Sequence, residues 1–319
     1  DSKIGLSVFP LDYTQAISLV SKAAIDCYFS DDDSKIPEVK GDILHLVEKP
    51  VVIAPHANTV GYTQCGHGSV TWTEWSATDA MPAESGTYFL GADVKLSDAW
   101  TLGEGVEITL CLNGFDIIQT GTKQVIVMTG GKLNICDCTA KTENDEYTAG
   151  AITGANTSER GAGLNIQGNA EFNFYDGRIT GNTSASYGGG IYAYTCKVNI
   201  FGGEISGNHA DSQAGGGICI NGNVTLNITG GKIINNTAKN AGAIVVQGAG
   251  NAALLKDCTI TGNSATSLGG GVYVGKPDSV TLSGKLNITG NTSLEYTASR
   301  LVLASDLRIQ SCVNGDLTV

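Results

Sequence analysis

Short stretches of alternating apolar and polar residues recur along the C-terminal two-thirds of the chain. Within one unit, Ile191–Ala193, Val198–Ile200 and the segment around Ile205 each alternate, and glycines lie between them. Such pieces are typical of short β-strands bounded by turns. Residues 105–319 show no convincing helical periodicity, so crossover helices cannot join these strands. We therefore predict an all-β fold whose strands stack coil upon coil.

The repeat period is close to 27 residues, and two independent marks share it. One mark is an asparagine that follows a glycine or another asparagine: Asn182, Asn208, Asn236, Asn263 and Asn291, at spacings of 26, 28, 27 and 28. The other is the aliphatic residue that closes each small-residue, glycine-rich run: Leu164, Ile191, Ile218, Ile244 and Val272, at spacings of 27, 27, 26 and 28. A period of this length without helices predicts a β-solenoid.

Residues one period apart should lie above one another, because neighbouring strands are ~4.8 Å apart. Two columns are uniformly apolar and are expected to point inward. One contains the aliphatic residues that close the glycine-rich runs; the other contains Phe174, Ile200, Ile228, Leu255 and Leu282. The asparagines are expected to form hydrogen-bonded ladders at bends where glycines permit positive φ angles. The handedness preference of β-x-β connections predicts a right-handed, single-stranded parallel β-helix.

The solenoid is assigned to residues 104–319, with roughly eight coils. Residues 1–103 are assigned to a smaller N-terminal capping region. Its residues 12–28 carry apolar side chains at helical spacing behind Asp12, a suitable N-cap, and so predict one amphipathic helix. An uncovered first coil would expose unpaired strand amides, so this region is expected to cover the open edge.

Charge and cysteine usage narrow the function classes. The formal net charge is −12, with 21 acidic and 9 basic residues in 1–150 but 8 and 9 in 151–300. Binding a phosphate backbone needs a basic stripe, so nucleic acid is not an expected partner. No run of about 18 apolar residues occurs, so no membrane insertion by this chain is expected. The nine cysteines show no disulfide-scaffold spacing, and Cys136-Asp137-Cys138 is tighter than a CxxC motif.

The glycine-rich and asparagine motifs resemble a known family of folds. Over about residues 105–300 the pattern is similar to the pectin-lyase-like β-helix superfamily, and to the repeats of chlamydial polymorphic outer-membrane proteins and other bacterial surface adhesins. The segment from Trp72 to Gly114 also resembles regions preceding β-helices in surface proteins of gut Firmicutes. The resemblance implies a secreted or cell-surface location, as part of a larger surface protein.

No catalytic residue is assigned. Cys65-Gly66-His67-Gly68 contains the Gly-His-Gly motif of polygalacturonases, which are β-helices, but its partners are missing. Those hydrolases need paired aspartates, whereas the acidic residues of 151–300 are scattered. The outward column of Arg178, Glu204 and Lys232 alternates in sign and is interpreted as a structural charge ladder.

Two sets of residues are candidates for binding. His56, Cys65 and His67 have side chains that suit zinc, although no fourth ligand is identified, and no cofactor is expected. Strand alternation places Tyr192, Tyr194 and Tyr273 outward, where their rings could stack on sugars or contact a protein. Isolated surface tyrosines are the alternative interpretation. Trp72, Trp75 and Trp100 are interpreted as core residues.

Three function hypotheses follow. The leading one is a non-catalytic bacterial surface or secreted adhesin module that recognises a glycan or a host surface protein. The second is a polysaccharide lyase or glycoside hydrolase of the pectin-lyase-like fold. The third is a structural spacer, which predicts no loss of adhesion when Tyr192 and Tyr273 are replaced by alanine.

Overall fold

The computed structural model describes residues 72–143, 146–275 and 280–293 with their side chains, and the backbone of five further strands. These strands are Lys35–Lys40, Ile43–Glu48, Leu301–Leu303, Leu307–Ile309 and Leu317–Thr318. The chain divides into two compact units: residues 1–52 with 303–307, and residues 53–302 with 308–319. In the first unit, Lys35–Lys40 and Ile43–Glu48 form an antiparallel hairpin. All other features described below belong to the second unit.

The second unit is a parallel β-solenoid built from four stacked sheets, numbered here in the order in which a coil visits them. Sheet 1 contains Thr73–Trp75, Gly86–Leu90, Glu107–Cys111, Lys132–Cys136, Glu171–Phe174, Lys197–Ile200, Thr225–Ile228, Ala252–Lys256 and Val280–Ser283. Sheet 2 contains Val94–Leu96, Ile117–Gln119, Ala151–Thr153, Arg178–Thr180, Glu204–Ser206, Lys232–Ile234, Thr259–Thr261 and Asn287–Thr289, with Leu317–Thr318 added antiparallel to the last.

Sheets 3 and 4 complete the coils from the third coil onward, whereas the first two coils pass from sheet 2 to sheet 4 without a sheet 3 strand. Sheet 3 contains Asn156–Thr157, Thr183–Ser184, His209–Ala214, Thr237–Asn240, Ser264–Ala265 and Thr292–Ser293. Sheet 4 contains Trp100–Leu102, Ile126–Met128, Leu164–Ile166, Ile191–Ala193, Ile218–Asn221, Ile244–Gln247 and Val272–Val274. Seven coils run from a sheet 1 strand to a sheet 4 strand, the first starting at Gly86 and the seventh ending at Val274. The predicted parallel solenoid is confirmed, with about seven turns.

Both predicted apolar columns lie inside the solenoid. Leu164, Ile191, Ile218, Ile244 and Val272 pair in consecutive register and are fully buried. On sheet 1 a second column also pairs in consecutive register and is buried: Phe174, Ile200, Ile228, Leu255 and Leu282. Burying each such side chain contributes about 1.5–3 kcal/mol. The interior columns are therefore the main source of cohesion between coils.

The predicted asparagine ladder lies at the bend between sheets 2 and 3. The Nδ2 of Asn208 donates to Asn236 Oδ1 (3.0 Å) and to the Ile179 carbonyl (2.8 Å). The backbone N–H of Asn208 donates to the same Asn236 oxygen. This arrangement repeats along the ladder, and four of its five asparagines are fully buried. Each amide therefore joins its coil to the next while satisfying its own buried polar atoms.

The residue before each ladder asparagine explains the Gly/Asn-Asn motif. Gly181, Gly207, Gly262 and Gly290 have φ angles of 60–67°, and Asn235 has a φ of 54°. This left-handed region is strained for most side chains but accessible to glycine and asparagine. The glycine-rich run has a different cause. A Cβ on Gly190 would lie 2.6 Å from the Gly217 carbonyl oxygen, so the stacked coils leave no room for a side chain.

The solenoid starts earlier in the chain than the sequence predicted, whereas the predicted N-terminal helix is not tested. Solenoid strands occur as early as Thr73–Trp75, upstream of the boundary placed at residue 104. The helix predicted over residues 12–28 lies outside the described residues, and a capping role for the N-terminal region stays a prediction. A β-hairpin, Lys141–Glu143 with Glu146–Thr148, is inserted into the third coil between sheets 1 and 2.

Candidate functional site

The outer face of sheet 4 carries the tyrosines singled out from the sequence. Tyr192 and Tyr273 share one outward column, Asn165–Tyr192–Cys219–Val245–Tyr273 in coil order, and are therefore three coils apart. Three strand spacings correspond to about 14 Å. We call Arg160, Tyr187, Tyr192, Tyr194 and Tyr273 the tyrosine patch.

Tyr192 is buried, which corrects the expectation that strand alternation exposes it. Its side chain points away from the solenoid interior but is only 2% exposed. It packs with Ala214, Cys219, Ala241 and Val245 in a small apolar cluster outside the main core. The residues that leave sheet 3 cross this column and cover it. Alternation predicts which side of a strand a residue takes, but it does not predict a covering segment.

Tyr194 and Tyr273 are the predicted tyrosines that remain accessible. Tyr194 directly follows the strand Ile191–Ala193 and is 47% exposed, and among the residues with described side chains it is the one exposed large hydrophobic residue. Its ring lies over the neighbouring coil, where the Cα of Gly222 leaves space for it. Tyr273 is half-buried and packs against the cluster around Tyr192.

An arginine that sequence reasoning missed completes the patch. The exposed Arg160 places its guanidinium carbon 5.6 Å from the ring centre of Tyr187 and 5.3 Å from that of Tyr192. Its Nη1 donates to the Tyr192 hydroxyl at 3.2 Å. Burial raises the pKa of Tyr192, and the arginine charge opposes that rise. The patch thus combines a cation, which can pair with an anionic ligand, with phenol rings.

Sheet 3 contains a hydroxyl, an imidazole and a carboxylate in a row. His209 Nδ1 lies 2.5 Å from Thr237 Oγ1, and its Nε2 lies 2.7 Å from Asp211 Oδ1. This order is that of a nucleophile, a base and an orienting acid. However, the N–H groups of the adjoining Gly216 and Gly217 donate to carbonyls of the next coil, so they are not available to an oxyanion. Thr237 also belongs to a stacked column with Ser264, which gives the contact a structural explanation.

The inserted hairpin is hydrogen-bonded to Asp176. The Tyr147 hydroxyl donates to Asp176 Oδ1, and the N–H of Gly177 donates to both groups. Burial raises the pKa of the Asp176 carboxyl. The Lys232 ammonium lies 6.0 Å from the centre of the Tyr147 ring. The hydrogen bonds of Asp176 therefore hold the hairpin against sheet 2.

The predicted charge ladder has the expected register but different contacts. Arg178, Glu204 and Lys232 are directly stacked. Arg178 Nε, however, donates to the Ala149 carbonyl at 2.8 Å, and Lys232 faces the hairpin. Ion pairs between coils occur instead on sheet 1, where Lys132 pairs with Glu107 at 3.1 Å and Lys197 with Glu171 at 3.6 Å. A second amide ladder that sequence reasoning missed, Asn134–Asn173–Asn199–Asn227, runs beside them.

The predicted metal ligands lie in a part of the chain that the structure does not describe. His56, Cys65 and His67 all lie outside the described residues. Within the described ranges, no group of three or more His, Cys, Asp or Glu side chains is arranged to hold a metal ion. The described residues likewise include no helix long and apolar enough to cross a membrane.

Comparison with known proteins adds one finding. A model of the Chlamydia polymorphic membrane protein repeat matches residues 176–194 and 257–275. The two segments are three coils apart, and each runs from sheet 2 through a ladder asparagine and the glycine run to sheet 4. Their similarity to this repeat indicates a surface-associated protein. No curated protein and no solved structure matches the chain, so the resemblance to the pectin-lyase-like superfamily stays a prediction.

Proposed function

We propose that the chain is a non-catalytic binding module of a larger bacterial surface protein, and that the tyrosine patch recognises a glycan. The observation that carries the proposal is Tyr194, which is 47% exposed and is the one exposed large hydrophobic residue among those with described side chains. An exposed phenol ring offers an apolar face for a sugar ring and a hydroxyl for its polar edge. The repeat match supports a surface-associated, adhesin-like protein.

The neighbourhood of Tyr194 favours a glycan over a flat protein surface. Tyr187 and Tyr194 flank the same sheet 4 strand, Tyr273 lies three coils further on, and Gly222 leaves open space beside the Tyr194 ring. Arg160 adds a cation held in place by its contacts with Tyr187 and Tyr192. Aromatic faces with one fixed guanidinium suit a carbohydrate that contains a carboxylate. A host surface protein is the other partner that this surface could bind.

The test is binding of the full chain to a glycan array that includes uronic and sialic acids, beside a pull-down from host surface proteins. Tyr194→Ala should weaken binding about tenfold, as expected for loss of a central aromatic contact. Tyr175→Ala is the matched control, because its ring stacks on Phe201 at the outer face of sheet 1, away from the patch. Equal binding by both variants, or no ligand in either assay, would contradict the proposal.

The second candidate function is cleavage of a polysaccharide, either as a glycoside hydrolase or as a polysaccharide lyase. The observation that favours it is the row of Thr237, His209 and Asp211, in which the imidazole is the candidate base. Incubation with uronic-acid polymers, followed by measurement of unsaturated-product absorbance and new reducing ends, separates it from binding alone. Turnover that disappears in His209→Ala would establish this function in place of the leading one.

A further inference from the structure

Three cysteines lie on the outer face of sheet 1 where the second and third coils meet. Cys111 ends one strand, Cys136 ends the next and is its register partner, and Cys138 follows two residues later. The Sγ atoms of Cys111 and Cys138 are 3.3 Å apart. The backbone N–H of Cys138 also donates to Cys111 Sγ at 3.4 Å. The two sulfurs are therefore already in contact, because the strand register places Cys136, two residues before Cys138, beside Cys111.

Cys136 and Cys138 differ in their surroundings, although only one residue separates them. Cys136 is fully buried, and its thiol donates to the Leu110 carbonyl at 3.3 Å. Burial raises its pKa well above the usual thiol value, so it resists ionisation. Cys138 is partly exposed. A reagent in solution therefore reaches Cys138 first, and the sulfur closest to it is that of Cys111.

A disulfide bond between these residues needs only a small movement. Its S–S length is about 2.05 Å, so the sulfurs must approach by roughly 1.2 Å. Rotation of the partly exposed Cys138 side chain about its Cα–Cβ bond supplies this movement, while Cys111 stays in its strand beside Trp72. The coils themselves do not have to shift.

We propose that Cys111 and Cys138 form an inter-coil disulfide bond when the protein meets an oxidising, disulfide-containing environment. The thiolate of Cys138 attacks one sulfur of a small-molecule disulfide, which gives a mixed disulfide and releases one thiol. The thiolate of Cys111 then attacks Cys138 Sγ and releases the second thiol. The two cysteine protons pass to the released thiols, and the two electrons lost by the cysteines reduce the reagent.

The bond would join the second coil to the third across 27 residues of sequence. The long insertion with the hairpin Lys141–Glu143 and Glu146–Thr148 starts just after Cys138. A covalent link here fixes the point at which the regular coil departs into that insertion. Secretion into an oxidising compartment is the setting in which such bonds persist.

The test is peptide mapping of the full chain after incubation with oxidised glutathione, denaturation and alkylation. Trypsin places Cys111 in residues 96–123, and it places Cys136 and Cys138 together in residues 133–141. Mapping is therefore also done on Cys136→Ser, where only one cysteine remains in the second peptide. We expect these two peptides to be joined in both the unaltered chain and Cys136→Ser, and to separate on reduction.

Two variants make the assignment specific. In Cys138→Ser the linked pair should be absent. Two fewer cysteines should then be protected from alkylation than in the unaltered chain. Cys196→Ser is the matched control, because Cys196 is buried on a different coil and burial raises its pKa to about 12; it should retain the link. A link that requires Cys136, or no link in a chain whose circular dichroism shows the solenoid intact, would overturn the proposal.

Discussion

The bend between sheets 2 and 3 and the outer column of sheet 4 repeat with the same period. They differ in whether the same residue type returns in each coil. The bend contains asparagine in five successive coils, whereas the outer column contains Asn165, Tyr192, Cys219, Val245 and Tyr273. At the bend, each amide bonds to backbone groups of the preceding coil and to the ladder amide of the following coil, so one residue type fits. The outer column has no such requirement. The repeated positions therefore build the solenoid, whereas the outer column varies from coil to coil, with Tyr192, Cys219 and Val245 covered and Tyr273 half-buried.

Interior positions should be the most sensitive to truncation. Ile218→Ala removes a fully buried side chain between Ile191 and Ile244 and should cost about 2–5 kcal/mol of unfolding free energy. Urea denaturation followed by circular dichroism measures the loss. Thr225→Ala, at an exposed position of sheet 1 in the next coil, is the control and should change stability by less than about 0.5 kcal/mol.

Replacing a ladder asparagine should have the second-largest effect on stability. Asn236→Ala leaves the Asn208 amide without its acceptor and the Ile205 carbonyl without its donor, all in a buried place. We expect a loss of about 3 kcal/mol, because unsatisfied buried polar groups cost roughly 1–3 kcal/mol each. Asn227→Ala, at the end of the outer amide ladder, breaks its single bond to Asn199 and should cost about 1 kcal/mol. Equal losses in the two variants would contradict the distinction between the ladders.

Positions on the outer column should tolerate conservative change. Tyr192→Phe keeps the ring within its apolar cluster and removes only the hydroxyl that accepts from Arg160. The expected loss is about 0.5–1 kcal/mol, again from urea denaturation. A loss as large as that of Asn236→Ala would mean that this column is also structural.

The surface ion pairs should contribute least to stability. Lys197→Ala removes an exposed pair with Glu171 and should cost about 0.2–1 kcal/mol at low salt. The difference from the unaltered chain should shrink as sodium chloride is added, because salt screens exposed charges. A cost that does not depend on salt would indicate that the lysine acts through packing of its aliphatic stem.

The fold was predictable because its interior repeats. The period places Ile191, Ile218 and Ile244 above one another, and Gly181 before Asn182 signals a positive φ at the bend. The patch was predictable only in part, since Tyr194 is exposed as expected but Tyr192 is covered by residues from sheet 3. Arg160 could not be found from the period. It contacts Tyr192 from a loop 32 residues away, and no repeat encodes that contact.

The most direct test of the stacked-coil arrangement is a distance measurement between exposed positions of one column. Spin labels carried by noncanonical amino acids would be placed at Glu107 and at Lys197, Thr225 or Ala252, which lie three, four and five coils further along sheet 1. The account predicts separations of about 14, 19 and 24 Å, increasing by ~4.8 Å per coil. Separations that follow sequence distance, or do not increase in even steps, would contradict it.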